Sequence, residues 1–358
     1  MKKLRQKYKK VVKKIFETFY GPIKGIVKKS KDIKIYKIKI EKKNYNIFEV
    51  KNCRIYTDTI HDTAFIWKNR IVEGPSFQLR NYINSSVKEN IVFKKNTTRF
   101  LKEFSAPMLC ILTGGAGNNN YWHWMYDVLP RIGIIEKNFY LKSFKYILVP
   151  NKKFNFQIET LKHLKIEKKS ISSRKFRHIY SDCVITTTHP WQSSKSAHKD
   201  IGMVPKWISL WLRKKFLKFK SKRKFYNKIY IDRSDSKFNI YNKRIILNEN
   251  EIKKVLLKKK FKIIRLSEYS FKDQIAIFNN AKTIVGNHGA GFANLVFCNR
   301  NTKIIEFIDK NTSKPIRKVC KDLSLKYFSI LGKRINPDTG NQNNNLQVSA
   351  KKLISILK

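Results

Sequence analysis

The chain has 358 residues, of which 42% are apolar and 13% aromatic, which excludes a wholly disordered protein and suggests two domains. The 78 lysine and arginine residues outnumber 25 acidic residues and give a formal net charge of +53, which favours anionic partners, although compositional drift also produces lysines spread along the whole chain. The five cysteines form no CxxC pair, and no zinc finger, RRM signature or basic zipper is present, so neither a metal site nor a nucleic-acid partner is predicted.

The first predicted element is a basic amphipathic helix over residues 1–20, ended by Gly21 and Pro22. Its apolar residues share one helical face, and lysines fill most other positions: Leu4, Tyr8, Val11, Val12, Ile15, Phe16 and Phe19. Such a helix either lies on an anionic inner membrane leaflet or packs on the domain, and the pattern allows both. No apolar run reaches the ~20 residues that span a bilayer, and no secretory leader is recognisable. We therefore expect a cytoplasmic protein, with peripheral membrane contact as an open alternative.

Residues 21–220 are predicted to form an N-terminal domain of mixed strands and helices. Short strands are expected at 33–40, 45–50 and 53–57, and an α/β stretch follows. In that stretch a strand over Met108–Thr113 leads through a glycine-rich turn into a helix from Tyr121. The later predicted elements are a strand at Tyr146–Val149, a helix at Gln157–Leu164, a strand at Val184–Thr187 and a basic helix at Trp207–Lys224.

Residues 221–335 alternate regularly between strand and helix, which predicts right-handed βαβ units and a doubly wound parallel sheet. The strands are expected at Lys228–Asp232, Phe261–Leu266, Lys282–Gly286 and Thr302–Ile308. Between them, helices are expected from a capping box at Asn248 to Lys260, from a second box at Ser270 to Asn280, and over Phe292–Cys298. Residues 336–358 hold a polar loop, Asn341–Asn345, and a final helix, Leu346–Leu357.

The first candidate site lies on the helix that begins near Tyr121. His123 and Asp127 stand four residues apart, so they share one helical face, about 6 Å apart at Cβ. Asp127 could act as a general base, or it could orient His123 so that the imidazole does so. An ordinary hydrogen-bonded helix with aromatic packing explains the same spacing. The preceding glycine-rich turn lacks the third glycine of a dinucleotide fingerprint, which argues against a NAD site.

The second candidate site lies at the carboxyl edge of the predicted parallel sheet. Small residues open a helix there and offer backbone N–H groups and a helix dipole to a phosphate, although a tight turn needs the same residues: Asn287, His288, Gly289, Ala290 and Gly291. Arg233 leaves a strand at the same edge and could bind a phosphate, or form a surface ion pair. Glu306 near the end of the fourth strand could bind a ribose, or cap a neighbouring helix.

Three motifs in this order and spacing resemble glycosyltransferase family 61, which includes many bacterial capsular-polysaccharide biosynthesis proteins. They are NYWHWMYDVLPR (120–131), YIDRSD with RIILNENEI (230–235 and 244–252), and FNNAKTIVGNHGAGFANLVF with TKIIEF (278–297 and 302–307). The resemblance implies a GT-B-like α/β fold of two Rossmann-like domains facing a cleft. It also implies inverting transfer from a nucleotide sugar without a metal or other cofactor, and the absence of any D-x-D sequence agrees with this.

For this chain the resemblance implies a UDP-linked donor and a glycan or lipid-linked saccharide acceptor in surface polysaccharide synthesis. Asp127 with His123 would be the catalytic base and its partner, and Asn120 and Arg131 fall in the same motif. The donor side would consist of Arg233, His288, Gly289, Ala290, Gly291, Asn294 and Glu306, with Asn294 bracing the loop or the base. The alternative is a non-catalytic basic protein that binds nucleic acid or an anionic membrane.

Overall fold

The computed structural model describes residues 2–59, 62–80, 83–112, 119–193, 196–235, 244–334 and 344–358. These residues form a mixed α/β protein that divides into two compact units, Met1–Asp200 and Ile201–Lys358. Among the described residues, no helix is both long enough and apolar enough to cross a bilayer.

The first unit begins with helix α1 (Lys2–Tyr20) and is built on a mixed sheet of twelve strands. These strands are β1 (Gly25–Val27), β2 (Ile33–Ile40), β3 (Lys43–Thr59), β4 (Asp62–Trp67), β5 (Arg70–Val72), β6 (Phe77–Arg80), β7 (Ile83–Asn84), β8 (Lys102–Phe104), β9 (Met108–Cys110), β10 (Tyr146–Val149), β11 (Ser170–Ser172) and β12 (His178–Thr187). The further helices are α2 (Ile91–Lys95), α3 (Tyr121–His123), α4 (Pro130–Ile135), α5 (Asn155–His163) and α6 (Ala197–Ile201).

The sheet of the first unit has a parallel part and an antiparallel part. Its main order is β1-β5-β4-β3-β12-β9-β10-β11, and the neighbours among β12, β9, β10 and β11 run parallel. By contrast, β2 and β4 pair antiparallel with β3, so the sheet as a whole is mixed. The two strands predicted at 45–50 and 53–57 are one strand, β3, because Asn52 continues it with a positive φ of 48° that asparagine tolerates.

The second unit begins with α7 (Lys206–Phe216) and contains a parallel sheet in the order β14-β13-β15-β16-β17. Its elements in chain order are β13 (Lys228–Asp232), α8 (Glu249–Lys258), β14 (Lys262–Arg265), α9 (Phe271–Asn280), β15 (Thr283–Asn287), a 3-10 helix (Ala290–Phe297), β16 (Lys303–Ile308), α10 (Pro315–Asp322), β17 (Lys326–Leu331), β18 (Lys333–Arg334), β19 (Leu346–Gln347) and α11 (Ala350–Leu357). The four predicted strands and their parallel pairing are confirmed.

The regular pattern of apolar segments in the sequence of this unit reflects burial on both faces of the sheet. Tyr230, Val285, Ile305 and Phe307 are all buried in one core cluster with apolar residues of α8 and α11. Parallel strands covered by helices read as continuous apolar runs, which is why their bounds are visible in the sequence. Shorter 3-10 turns elsewhere occupy Val87–Glu89, Leu141–Ser143, Glu167–Lys169, Leu217–Phe219 and Leu266–Glu268.

Three predicted helices differ from the structure. Helix α7 ends at Phe216, and it lies in the second unit, ahead of the predicted boundary near residue 220, because Arg213 donates hydrogen bonds to the carbonyls of Val296 and Cys298 at 2.8 and 2.7 Å. The helix predicted over Phe292–Cys298 is a 3-10 helix. The final helix begins only at Ala350, after strand β19, and Ser349 caps it.

The predicted capping boxes and polar loop have separate outcomes. Ser270 caps α9 by accepting a hydrogen bond from the Asp273 backbone. Asn248 makes no cap hydrogen bond to α8, since its side chain is engaged by both backbone groups of Val348, at 2.8 and 2.9 Å. Most of the predicted polar loop, residues 341–343, lies outside the described residues.

Candidate functional site

The short helix α3 is started by a side-chain cap. The Asn120 Oδ1 accepts hydrogen bonds from the backbone N–H groups of Trp122 and His123, at 2.9 and 3.3 Å. The chain then widens into a π-helical turn over Trp124–Val128, a local geometry that is frequent at functional sites. The glycine-rich turn at 113–118 lies outside the described residues.

His123 and Asp127 are in direct contact, as their spacing predicts. The His123 Nδ1 lies 2.7 Å from Asp127 Oδ2, and the Trp191 indole N–H donates to Asp127 Oδ1, also at 2.7 Å. Asp127 is only 1% exposed, and each of its carboxylate oxygens accepts one of these hydrogen bonds. The His123 side chain is more open, with 21% of its surface exposed.

The contact with Asp127 makes the His123 imidazole more basic. Burial alone would lower the pKa of His123, but the charge of Asp127 and the hydrogen bond to it outweigh burial and raise that pKa. A carboxylate oxygen can only accept, so Nδ1 carries the proton and Nε2 is the basic nitrogen of the neutral ring. No described residue forms a hydrogen bond with this Nε2.

Two further residues, His189 and Trp191, hold Asp127 in place, and neither was predicted from the sequence. His189 accepts backbone hydrogen bonds from Trp191 and Gln192 at its Nδ1, at 3.3 and 3.1 Å, and its Nε2 lies 3.9 Å from Asp127 Oδ2. Burial lowers the pKa of His189 to about 3, so this ring is neutral at physiological pH. Both residues follow β12, more than sixty positions after Asp127, where no local pattern marks them.

Arg131 lies in the same part of the first unit. It is 4% exposed, and its Nη1 donates to the Thr186 hydroxyl at 3.4 Å. Burial lowers the pKa of the guanidinium to about 10, and its Nε has no hydrogen-bond partner among the described residues. Arg131 therefore places a buried positive charge close to the Asp127 carboxylate.

The carboxyl edge of the second unit's sheet brings together the predicted donor-side residues. Strand pairing aligns Ile231 with Gly286, so Arg233 and His288 both follow their strands at the same edge. The Arg233 Nη1 donates to the His288 carbonyl at 2.7 Å, and Arg244 donates to the same oxygen at 3.3 Å. Arg244 lies 11 positions after Arg233, within the same sequence motif, but was not among the predicted site residues.

The two guanidinium groups strain the site electrostatically. Burial lowers the pKa of Arg233, and burial together with the charge of Arg233 lowers that of Arg244 to about 10. Two partly buried like charges repel, and an anion between them would relieve that repulsion. Both arginines line a pocket of about 250 Å³ that also includes Asn287 and Glu249. The geometry therefore suits a phosphate or diphosphate group.

His288 is oriented by a buried acid beneath it. Its Nδ1 lies 2.5 Å from Glu306 Oε1, and the Tyr327 hydroxyl donates to Glu306 Oε2 at 2.7 Å. Glu306 is 2% exposed, and each of its two oxygens makes a hydrogen bond inside the unit. Burial and the Glu306 charge raise the pKa of Tyr327, which keeps this hydroxyl a donor.

The glycines of this turn make room for their neighbours. A Cβ on Gly289 would lie 3.0 Å from the Arg233 Nε, and a Cβ on Gly291 would lie 2.7 Å from a Leu266 methyl group. Ala290 begins the 3-10 helix, and the buried Asn294 donates to Gln274 of α9 at 3.0 Å, which braces the loop.

No group of three or more histidine, cysteine, aspartate or glutamate side chains in the described part of the chain is arranged to hold a metal ion.

Comparison with known proteins adds one match. The family model described as Glycosyltransferase 61 matches residues 121–305, which is more than half of the chain. The matched segment contains the His123–Asp127 pair, both arginines and the 287–291 turn. No curated protein matches this sequence.

Proposed function

The chain belongs to glycosyltransferase family 61 and is therefore a glycosyltransferase. We propose that it transfers the sugar of a UDP-linked donor with inversion of the anomeric configuration and without a metal or other cofactor. The acceptor is a glycan or lipid-linked saccharide, the pathway is surface polysaccharide synthesis in the cytoplasm, and the two units take the GT-B arrangement. Family membership favours this enzyme over the non-catalytic basic protein that composition also allowed. The observation that carries the proposal is the pair of arginines that converge on the His288 carbonyl.

On the donor side, the chemistry needs positive charge where the nucleoside diphosphate departs. The leaving diphosphate gains negative charge as the glycosidic bond breaks, and without a metal the protein must supply the compensation. Arg233 and Arg244 offer charge-assisted hydrogen bonds for this purpose. The Glu306–His288 hydrogen bond fixes the imidazole beside them, so Glu306 acts as a positioning residue.

On the acceptor side, inversion needs one in-line displacement with a base that deprotonates the attacking hydroxyl. His123 is the better candidate for this base, because Nε2 is the basic nitrogen of its neutral ring and its side chain is 21% exposed. Asp127 is then the positioning residue that holds Nδ1–H and stabilises the imidazolium as it forms. This proposal exchanges the roles expected from the sequence, in which Asp127 was the base and His123 its partner.

Calorimetry with UDP in the presence of EDTA tests the donor side. Arg233→Ala should weaken UDP binding about 10–150-fold, the equivalent of one lost charge-assisted contact of about 1.5–3 kcal/mol. Arg223→Ala is the matched control, since Arg223 lies in the same unit with 69% of its side chain exposed and should leave the affinity unchanged. Equal affinity in the Arg233→Ala variant and the wild type would contradict the proposed donor site.

A panel of nucleotide sugars in a thermal-shift assay identifies the donor, and NMR of the product then reports the anomeric configuration. We expect the configuration opposite to that of the donor. Retention of configuration would reject the single-displacement mechanism and the role of His123 as base with it.

A further inference from the structure

The structure divides the broad apolar face predicted for helix α1 into two parts, a covered face that packs on the first unit and an exposed face beside it. On the covered face, the Phe16 ring lies 5.3 Å from that of Phe100, and the Tyr20 ring lies 5.0 Å from that of His178. The Tyr20 hydroxyl also accepts a hydrogen bond from the Leu101 backbone at 3.0 Å. These contacts anchor the C-terminal half of α1 to the unit and fix the direction of its other face.

The other face of α1 is an exposed apolar stripe of five residues. Their exposures are 75% for Leu4, 69% for Tyr8, 57% for Val11, 49% for Ile15 and 66% for Phe19. Isolated exposed apolar residues are ordinary, but a continuous row on one helix is typical of a surface that meets another apolar phase. The Phe100 side chain, which contacts Phe16 of α1, is itself 79% exposed and adds to the apolar surface beside the helix.

A basic pocket lies beside the C-terminal end of α1. It has a volume of about 390 Å³ and lies beside the starts of β8 and β12, where its lining includes Phe100, Lys102, Arg174, Lys175 and His178. Phe100 and His178 also contact Phe16 and Tyr20 of α1, so the pocket adjoins the C-terminal end of the helix that carries the stripe. His178 is fully buried, and its Nδ1 donates a hydrogen bond to the Arg99 carbonyl. Its Nε2 has no hydrogen-bond partner among the described residues.

We propose that the α1 stripe and this basic pocket together form a docking face for an anionic membrane surface. The stripe enters the boundary between headgroups and acyl chains, and the pocket binds the phosphate of a lipid headgroup. The phosphate matches the lysine and arginine lining, and the apolar stripe matches the acyl region, so both halves of the face find their complement in one occupant.

Charge also favours lipid over a second copy of the chain. Residues 1–20 hold eight lysine and arginine residues against one acidic residue, Glu17. Two such helices face to face would repel each other, whereas each lysine near an anionic surface raises binding roughly fivefold. The proposal concerns where the enzyme works, so it holds or fails independently of the proposed donor and base.

Flotation of the full-length protein with vesicles tests the stripe. The wild type should bind vesicles of phosphatidylcholine with added phosphatidylglycerol and should bind pure phosphatidylcholine far less. The double variant Ile15→Ser/Phe19→Ser should lower the partition coefficient about tenfold or more, since two apolar side chains no longer leave water. The matched control Leu257→Ser/Leu331→Ser removes two residues that are each 56% exposed in the second unit and should bind as the wild type does.

A second pair of variants tests the pocket. Lys102→Ala/Arg174→Ala should lower binding to the anionic vesicles about tenfold or more, whereas Lys39→Ala/Lys42→Ala, which removes the same charge from an exposed hairpin, should lower it no more than about twofold. Equal losses in the two pairs would show diffuse attraction and overturn the pocket.

Three other results would overturn the docking face as a whole. They are wild-type binding to neither vesicle, stripe variants that bind as the wild type does, and a dimer in solution that Ile15→Ser/Phe19→Ser dissociates. If the protein bound inorganic phosphate at the pocket but did not bind vesicles, the pocket would be a site for a soluble phosphate, and the membrane would be rejected as its occupant.

Discussion

Replacing Asp127 by asparagine should stop the base from working while leaving the site's shape almost intact. Asp127 accepts from two fixed donors, the His123 ring and the Trp191 indole, one on each oxygen. An amide has only one acceptor oxygen, and the Trp191 N–H can only donate. Asparagine therefore turns its oxygen to Trp191 and its NH₂ to His123, which forces the imidazole proton onto Nε2. The nitrogen proposed as the base is then blocked.

The expected loss is the whole contribution of general-base catalysis, about 10²–10⁴ in the single-turnover rate. UDP affinity by calorimetry should stay within about twofold, because the donor arginines belong to the other unit. The pH profile gives a second readout. In the wild type the rate falls as pH drops through the raised pKa of His123. Without the Asp127 charge, burial dominates and lowers that pKa, so the acidic limb of the residual rate moves to lower pH.

Asp182→Asn is the control, since Asp182 is an exposed carboxylate of the same unit and should leave rate and pH profile unchanged. Three observations would refute the reasoning. They are near-normal turnover in Asp127→Asn, a loss of UDP affinity as large as that of Arg233→Ala, and an acidic limb that stays at the wild-type pH. The last would mean that another group titrates.

Other changes have equally definite outcomes. Gly289→Ala should weaken UDP binding about tenfold in calorimetry, because the new Cβ would displace the Arg233 guanidinium, and a smaller loss in Arg233→Ala/Gly289→Ala than the two single losses multiplied would confirm that route. Turnover should persist in EDTA, and a loss restored by Mn²⁺ would reject metal-free transfer. Arg334→Ala should lower the free energy of unfolding in urea by about 3 kcal/mol, because Arg334 pairs with the buried Asp309. Burial raises the pKa of Asp309, but its hydrogen bonds outweigh burial and hold that pKa below the usual range, so the pair's stability is present at neutral pH and lost as pH falls below about 4. An unchanged urea midpoint on acidification would contradict this.

The second unit was readable from the sequence because its information is local. Its predicted strands are short apolar runs, and three of them, β13, β15 and β16, are buried on both faces. The first unit was harder, since β3 passes through the polar Lys51–Asn52 pair and resembles two strands. The helix predicted at 346–357 begins too early for a related reason, because the apolar residues Leu346 and Val348 precede α11 at a spacing that also suits a helix.

The candidate sites were predicted in part, and what was missed follows a physical rule. The contact between His123 and Asp127 spans one helical turn, and the contact of Arg233 with His288 follows from parallel pairing of adjacent strands. His189 and Trp191 reach Asp127 only through the tertiary fold, as Tyr327 reaches Glu306, and such contacts leave no periodic mark in a single sequence.

The pairing of β3 with β12 has a consequence for how the chain folds. Nine register pairs join the two strands, and the Tyr180 hydroxyl of β12 donates to Asn52 of β3, 128 residues earlier. During synthesis β3 therefore leaves the ribosome long before its partner, with one edge unpaired, and the sheet cannot close until β12 has emerged. Closing so long a loop costs entropy before any contact rewards it, which makes this step slow and leaves an edge that other chains can join. The first unit is thus the part of the molecule where aggregation competes with folding.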